Sequence, residues 1–308
     1  MNTAAGAPHG FDEDPETRRL LRSRPSNAAL AWAGAALGGT VVRVRALRGG
    51  LSSAMHAVTV ALPGGGTERA VLRRYVRPDV NKEEPDSAAR EERTLRFAQT
   101  LDLPTPRFLA ADHTGTRAAV PAVLMSSLPG RVEWSPADSD RWLRRLAALL
   151  PPIHAGTPPP GLIRPFAPYA QERYDPPGWA RRPAMWERAV EIFHDPAPAG
   201  PEVFIHRDFH PGNVLWRRGA VTGVVDWQSA GIGPSSVDVG HCRGNLLPYG
   251  RDVVDRFTAC WEGITGLTYH PWGDIIAIIG FLDALRDDPP SDRHSVEDAL
   301  GRAVAELS

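Results

Sequence analysis

Lysine is almost missing from this chain: Lys82 is the only one among 35 basic residues. Any task usually given to an ammonium group therefore falls to Lys82 or to an arginine. Cysteine is scarce as well. Cys242 and Cys260 are too far apart for a CxxC metal or redox pair, and two reduced thiols in helices of a cytosolic protein are expected. Long apolar runs are absent, and a stretch such as residues 275–282 is far too short to span a bilayer. Residues 1–10 have neither a basic start nor an apolar core, so no signal peptide is expected. A formal net charge of -1 leaves no basic surplus for nucleic acid or another polyanion. What is abundant is proline (30) and glycine (29), in a chain of 308 residues and 42% hydrophobic content, enough for one large domain or two modest ones. The charge is uneven: residues 201–308 hold fifteen Asp and Glu against nine Arg, which hints at a neutral or cationic ligand for that part.

The apolar pattern changes along the chain. Short helices are expected over residues 18–22 and 27–37. Strands follow over 41–47, 55–62 and 69–75, the last two joined by a Pro63-Gly64-Gly65-Gly66 turn. A helix over 86–101 and strands over 108–112 and 118–125 complete a small, mostly antiparallel sheet. Beyond Leu128-Pro129-Gly130 the pattern turns helical: 135–154, 185–193, and most of 234–308. The proline-dense stretch 151–183 reads as irregular, a linker or part of a substrate rim. The fold class is α+β, a β-rich lobe over residues 1–127 followed by a helical lobe over 128–308.

The run His206-Arg207-Asp208-Phe209-His210-Pro211-Gly212-Asn213 carries the chemistry, together with Val224-Val225-Asp226-Trp227. Phosphoryl transfer of the protein-kinase type uses one Asp to orient and deprotonate the attacking hydroxyl. An Asn five residues on holds Mg²⁺, and a second Asp holds the metal against the nucleotide phosphates. Asp208, Asn213 and Asp226 stand at those offsets, and the apolar run 221–225 is a strand that delivers Asp226. A rival reading takes His206, Asp208 and His210 as alternate-residue zinc ligands of a hydrolase. No second His cluster accompanies them. A third reading is a nucleotide-binding pseudoenzyme with a regulatory role.

In the first lobe, Gly49-Gly50-Leu51-Ser52-Ser53 lies between two strands. There Gly50 lets backbone N–H groups approach phosphate, and Ser52 and Ser53 add hydroxyl donors. Arg73 on the third strand sits where kinases place a phosphate-contacting lysine, and a guanidinium binds phosphate bidentately. Arg74 points to the other face. Glu91 on the next helix is the carboxylate expected to hold Arg73, with Glu92 beside it as the alternative. Met125-Ser126-Ser127-Leu128 is the strip whose backbone groups, at Ser126 and Leu128, would read the edge of a purine. That leaves ATP and GTP both open.

These stretches, with Leu103-Pro104-Thr105-Pro106, Leu128-Pro129-Gly130-Arg131, Gly233-Pro234 and Asp238, resemble the aminoglycoside phosphotransferase family over about residues 40 to 240. That is the small-molecule branch of the protein-kinase-like two-lobed fold. The resemblance implies Asp208 as catalytic base, Asn213 and Asp226 as Mg²⁺ ligands, and Asp238 as the carboxylate that steadies the loop. It also implies a nucleotide between the lobes and a small hydroxylated substrate over the helical lobe. The family often has Gly where this chain has Arg207, and commonly Lys where it has Arg73. Only residues 227–237 separate Asp226 from Asp238, and no Ala-Pro-Glu occurs, so a peptide platform is missing and a small molecule is the expected acceptor.

Overall fold

The computed structural model describes residues 15–47, 52–134, 139–287 and 289–308. They divide into two compact units. One holds Glu13–Gly130 and Thr222–Gln228, the other Arg131–Val221 and Ser229–Ser308.

In the first unit, α1 (Pro15–Leu21) and α2 (Asn27–Ala36) precede β1 (Thr40–Ala46), β2 (Ala54–Ala61) and β3 (Thr67–Arg74). Then come α3 (Pro78–Glu83), α4 (Ser87–Ala98), β4 (Phe108–Asp112) and β5 (Ala122–Ser126). The sheet order is β1-β2-β3-β5-β4 and every pair is antiparallel. Strand β2 alternates strictly between buried and half-buried residues, which marks one of its faces as core. Ala29, Trp32 and Ala33 of α2 cover the face that carries Val58, Ala70, Leu72 and Leu124. Helix α2 starts on a side-chain cap, Ser26 Oγ accepting from Ala29 N at 3.1 Å.

The pattern missed α3, because Pro78 reads as a breaker although proline suits a first helical turn. It also began β5 four residues early. Asp112 draws residues 117 and 118 into a turn by accepting their N–H groups at 2.8 and 2.7 Å, and Ala119 has φ 69°. Those backbone groups are then lost to the ladder.

The second unit opens with β6 (Arg131–Val132), α5 (Ser139–Ala147) and α6 (Leu150–His154). The single helix expected over 135–154 is two, since Pro151 and Pro152 can stand only in a first turn and so restart the helix. Next are α7 (Pro183–His194), β7 (Glu202–Ile205) and β8 (Val214–Arg217), then β9 (Ala220–Val224), whose last three residues, like Asp226 after them, belong to the first unit. The turn between β8 and β9 has positive φ at Arg218 and Gly219. Strand β10 (Gly231–Pro234) pairs with β7, and β6 pairs with β8. The helices α8 (Ser236–Leu246), α9 (Arg251–Thr265), α10 (Trp272–Ile279), α11 (Leu282–Asp287) and α12 (Arg293–Leu307) complete the chain.

Helix α8 lies so close to α10 that a Cβ on Gly240 would stand 2.3 Å from the Gly273 carbonyl. Glycine is what permits that approach. The proline-dense stretch is irregular but tied down. Phe166 N donates to Ile232 O at 2.7 Å and Ile232 N to Arg164 O at 2.9 Å. Farther on, the buried Glu297 accepts from the backbone of Arg181 and Arg182 and from the Trp186 indole. Burial alone would raise its pKa. Arg181, Trp186 and the two backbone groups reverse that and hold Glu297 at about 2. Among the described residues, no helix is long and apolar enough to cross a membrane.

Candidate active site

The loop after β7 is set by one face of α8. Asp238 and His241 are three residues apart on that helix and so point the same way. Asp238 is fully buried and accepts two backbone N–H groups, His206 to Oδ2 at 2.9 Å and Arg207 to Oδ1 at 2.6 Å. His154 reaches Oδ2 at 3.1 Å. This clamp holds Arg207 at φ 68°, a region that disfavours side chains other than glycine. Arg207 offsets part of that cost. Its Nη2 donates to Ala167 O at 2.6 Å, and its guanidinium lies 3.9 Å from the Tyr169 ring centroid.

His241 does the second task. Its Nε2 stands 2.9 Å from Asp208 Oδ1, while Asn213 Nδ2 donates to Asp208 Oδ2 at 2.9 Å and to Asp208 O at 2.8 Å. His210 Nε2 is 4.0 Å from the same Oδ1. Burial alone would raise the Asp208 pKa. The His241 hydrogen bond and the nearby imidazoles of His210, His241 and His206 overcome it and hold the carboxyl well below the usual range. With its side chain 31% exposed, Asp208 is an ionised acceptor open on one side. Sequence reasoning did not find His241. Its only signal was the i, i+3 spacing from Asp238, which has no meaning until α8 is known to face the loop.

The geometry bears on the zinc reading. Among the described residues, the group with metal-like spacing is Asp208, His210 and His241, without His206, which packs edge-on to Phe209. Yet Gly212 N donates to His210 Nδ1 at 3.2 Å, so the neutral ring carries its proton on Nε2, toward Asp208. That nitrogen then has no lone pair for a metal, and at 4.0 Å it only faces the carboxylate.

In the other unit, Arg73 is buried and spends three different nitrogens on three partners. Nε donates to Ser53 Oγ at 2.8 Å, Nη1 to Glu91 Oε1 at 2.5 Å and Nη2 to Asp226 Oδ1 at 2.7 Å. Burial alone would lower its pKa, but Asp226 and Glu91 hold it well above the ordinary arginine range. The second oxygen of Glu91 accepts from the Tyr75 hydroxyl at 2.7 Å. Of the two carboxylates offered by the sequence it is thus Glu91 that meets Arg73, while Glu92 bonds Arg96 and His113. Arg74 points the other way, its Nη2 on Ser23 O at 2.5 Å.

Asp226 has φ 67° and a side chain 33% exposed. Ser53 is buried beneath Arg73, and Ser52 is half-buried. Gly50 lies outside the described residues. Ser126 is committed to the sheet edge: its N donates to Arg107 O, and its Oγ accepts from Arg107 N, both at 2.8 Å. Among the described residues, the backbone of half-buried Leu128 has no such partner.

The fold and these residues agree with the comparisons. The phosphotransferase enzyme family model (APH) matches residues 43–270, about three quarters of the chain. The chain belongs to the phosphotransferase enzyme family. This phosphotransferase is also 40% identical over 80 residues to an N-acetylmuramate/N-acetylglucosamine kinase of Neisseria meningitidis serogroup B. That match spans 25% of this chain and 24% of the relative, so it covers only about a quarter of the curated protein.

Among solved structures, a thermostable mutant of aminoglycoside phosphotransferase APH(4)-Ia, in ternary complex with AMP-PNP and hygromycin B, has a TM-score of 0.63 at 15% identity. The similarity covers 91% of this chain and 98% of that one. Macrolide 2'-phosphotransferase MphH from Brachybacterium faecium has 0.57 at 20%, covering 89% and 98%. At such identities the likeness carries the fold alone: this phosphotransferase has the two-lobed α+β fold of protein-kinase-like enzymes.

Proposed function

We propose that this small-molecule kinase transfers the γ-phosphate of ATP or GTP to a hydroxyl of a small molecule, an aminoglycoside-like antibiotic or a hydroxylated metabolite. The observation that carries the reading is Asp208: ionised, backed by His241 and Asn213, and open on its remaining side. The hydroxyl oxygen attacks the γ-phosphorus and the bond to the β–γ bridging oxygen breaks. Nucleoside diphosphate leaves, and the hydroxyl proton passes to Asp208.

The oxygen donors suit Mg²⁺. Both contacts of Asn213 to Asp208 run through Nδ2, which leaves its amide oxygen as a ligand atom, and Asp226 retains Oδ2. When bound, the ion neutralises charge on the phosphates. Arg73 serves the phosphates with its two remaining N–H groups, held by Glu91 and Ser53. Ser52, with Gly50 from the sequence, is the candidate for a phosphate turn; of the two purine-edge candidates, Ser126 has its N–H spent on Arg107 O, which favours the backbone of Leu128. The reaction belongs in the cytoplasm, where nucleoside triphosphate is held.

The test is Mg²⁺-dependent NTP consumption against a panel of aminoglycosides, macrolides, sugars, choline and homoserine, beside Asp208→Asn. Turnover on one acceptor should fall by about 10²-fold or more in the variant. Undiminished turnover in Asp208→Asn would remove Asp208 from the reaction.

A further inference from the structure

The sheet of the first unit carries three further arginines on the face that holds Arg73. Arg43 stands opposite Thr59, and Thr59 opposite Arg69, so the three share one rung across β1, β2 and β3. Arg45 follows two residues later on β1, opposite Ala57. Side chains alternate along a strand, so Arg69 and Arg73 point the same way, about 13 Å apart along β3. Arg43, Arg45 and Arg69 are all exposed, and among the described residues none of their guanidinium groups has a hydrogen-bond or ion-pair partner.

A β-bulge turns the two β1 arginines to that face. Val41 and Val44 both pack against the core under α2. Strict alternation would send Arg43 the same way as Val41. Instead the register shifts between Val41 and Arg43, Val42 is left 61% exposed as the extra residue, and Arg43 and Arg45 face away from the core. Between the flanking arginines the middle strand offers only the small side chains of Ala57 and Thr59. The result is a recess of about 270 Å³, lined by Arg43, Arg45 and Arg69 with Ala57, Thr59 and Ser127, and by no carboxylate among the described residues.

We infer that this recess is an anion site for an oligophosphate, separate from the phosphate position at Arg73. Guanidinium forks bind phosphate oxygens bidentately, and the hydroxyls of Thr59 and Ser127 add neutral donors. Arg43 and Arg69 start from strands about 10 Å apart, so both can lean over one anion seated on Thr59. With no carboxylate between them, the arginines repel one another, and a bound anion relieves that repulsion. An uncharged base would be better served by apolar walls and a few neutral polar groups.

Two sources share this chemistry. One is a free oligophosphate confined to the recess. The other is a longer phosphate chain that runs on along the sheet face toward Arg73, a span of about 13 Å. The site goes beyond the phosphotransferase reading and does not depend on it, because binding is read without turnover.

The test is titration calorimetry of the full chain with sodium tripolyphosphate, without Mg²⁺, and then with a long-chain polyphosphate. Arg43→Ser and Arg69→Ser should each raise the tripolyphosphate Kd about tenfold. Arg117→Ser removes the same charge from an exposed position outside the recess and should leave Kd within about twofold. For the long chain, added weakening in Arg73→Lys marks a ligand that runs along the face, and no added weakening marks one confined to the recess; both carry the inference. Tripolyphosphate binding weakened by Arg73→Lys and by neither recess variant overturns it. So do equal losses in Arg117→Ser and the recess variants, which show an unspecific charge effect, and so does an absence of binding. Weakened guanosine or adenosine binding in the recess variants, with tripolyphosphate unchanged, assigns the recess to a base and overturns it too. MgATP binding, measured alongside, separates the outcomes: protein that binds MgATP but no tripolyphosphate loses the anion site and keeps the phosphotransferase reading.

Discussion

Replacing Asp238 by Asn tests the link between α8 and the catalytic loop. The native carboxylate accepts two backbone N–H groups, at 2.6 and 2.9 Å, where no water can substitute. A carboxamide has one acceptor oxygen, so one N–H loses its partner and faces an NH₂ group instead. A lost hydrogen bond to a charged acceptor is worth about 1.5–3 kcal/mol, and an orphaned buried donor costs about 1–3 kcal/mol. Together they give a loss of about 3–5 kcal/mol, a fall in Tm of roughly 5–10 °C for a chain of this size. The strained φ of Arg207 sharpens the test. With the clamp weakened, Arg207 should relax toward negative φ and drag Asp208 with it, so kcat should fall by about 10²-fold. Arg207→Gly removes a strain of about 1 kcal/mol but also the contacts to Ala167 O and Tyr169, so it should recover less than that in the Asn background. Differential scanning calorimetry and amide exchange at residues 206 and 207 read the outcome. A Tm loss under about 2 °C, with the Arg207 amide exchanging no faster, would refute the clamp.

Three further outcomes are expected. His241→Ala removes the leading hydrogen bond that holds Asp208 below the usual carboxylate range, so the acid edge of the kcat/KM profile should move to higher pH and kcat should drop about tenfold. Arg73→Lys keeps one positive charge but cannot reach Ser53, Glu91 and Asp226 together; nucleotide Kd, followed with a fluorescent analogue, should rise about tenfold. Burial, with Arg74 nearby, lowers His56 to about 4 from 6.5, so the unfolded chain binds its proton first. Stability is therefore whole above pH 6.5, declines as pH falls toward 4, and by then has lost at most about 3 kcal/mol; urea unfolding of His56→Gln at pH 7 and pH 4.5 should show a smaller pH-dependent loss.

The parts of the fold legible in the sequence were those with a strong local period. The alternation of β2 and the clustered apolar positions of the later helices each report a face that must be buried, and the polyglycine turn marks where β2 ends and β3 begins. Elements that depend on distant partners were not legible. Strands β6, β7, β8 and β10 are two to four residues long, too short to display a period, and exist because another segment meets their backbone. The split between α5 and α6 was legible in Pro151 and Pro152 but was outweighed by the amphipathic run around them. The site divides the same way. Asp208, Asn213 and Asp226 announce themselves by spacing along the chain, whereas His241 is brought to Asp208 across the chain by a contact that leaves no linear trace.

The near absence of lysine also changes what Arg73 is for. An ammonium on the third strand could satisfy two carboxylates, but it is a point charge without a fixed fork. The guanidinium spans three acceptors at different directions, Ser53 behind it, Glu91 on one flank and Asp226 on the other. Five N–H groups minus these three leave two, both on the terminal nitrogens and held in one plane by the three contacts already made. Phosphate recognition at this position is thereby pre-oriented, and its cost is a narrower tolerance. Ser53, Glu91 and Arg73 act as a unit, so a change at any one should weaken nucleotide binding by a similar amount, and double changes should cost less than the sum.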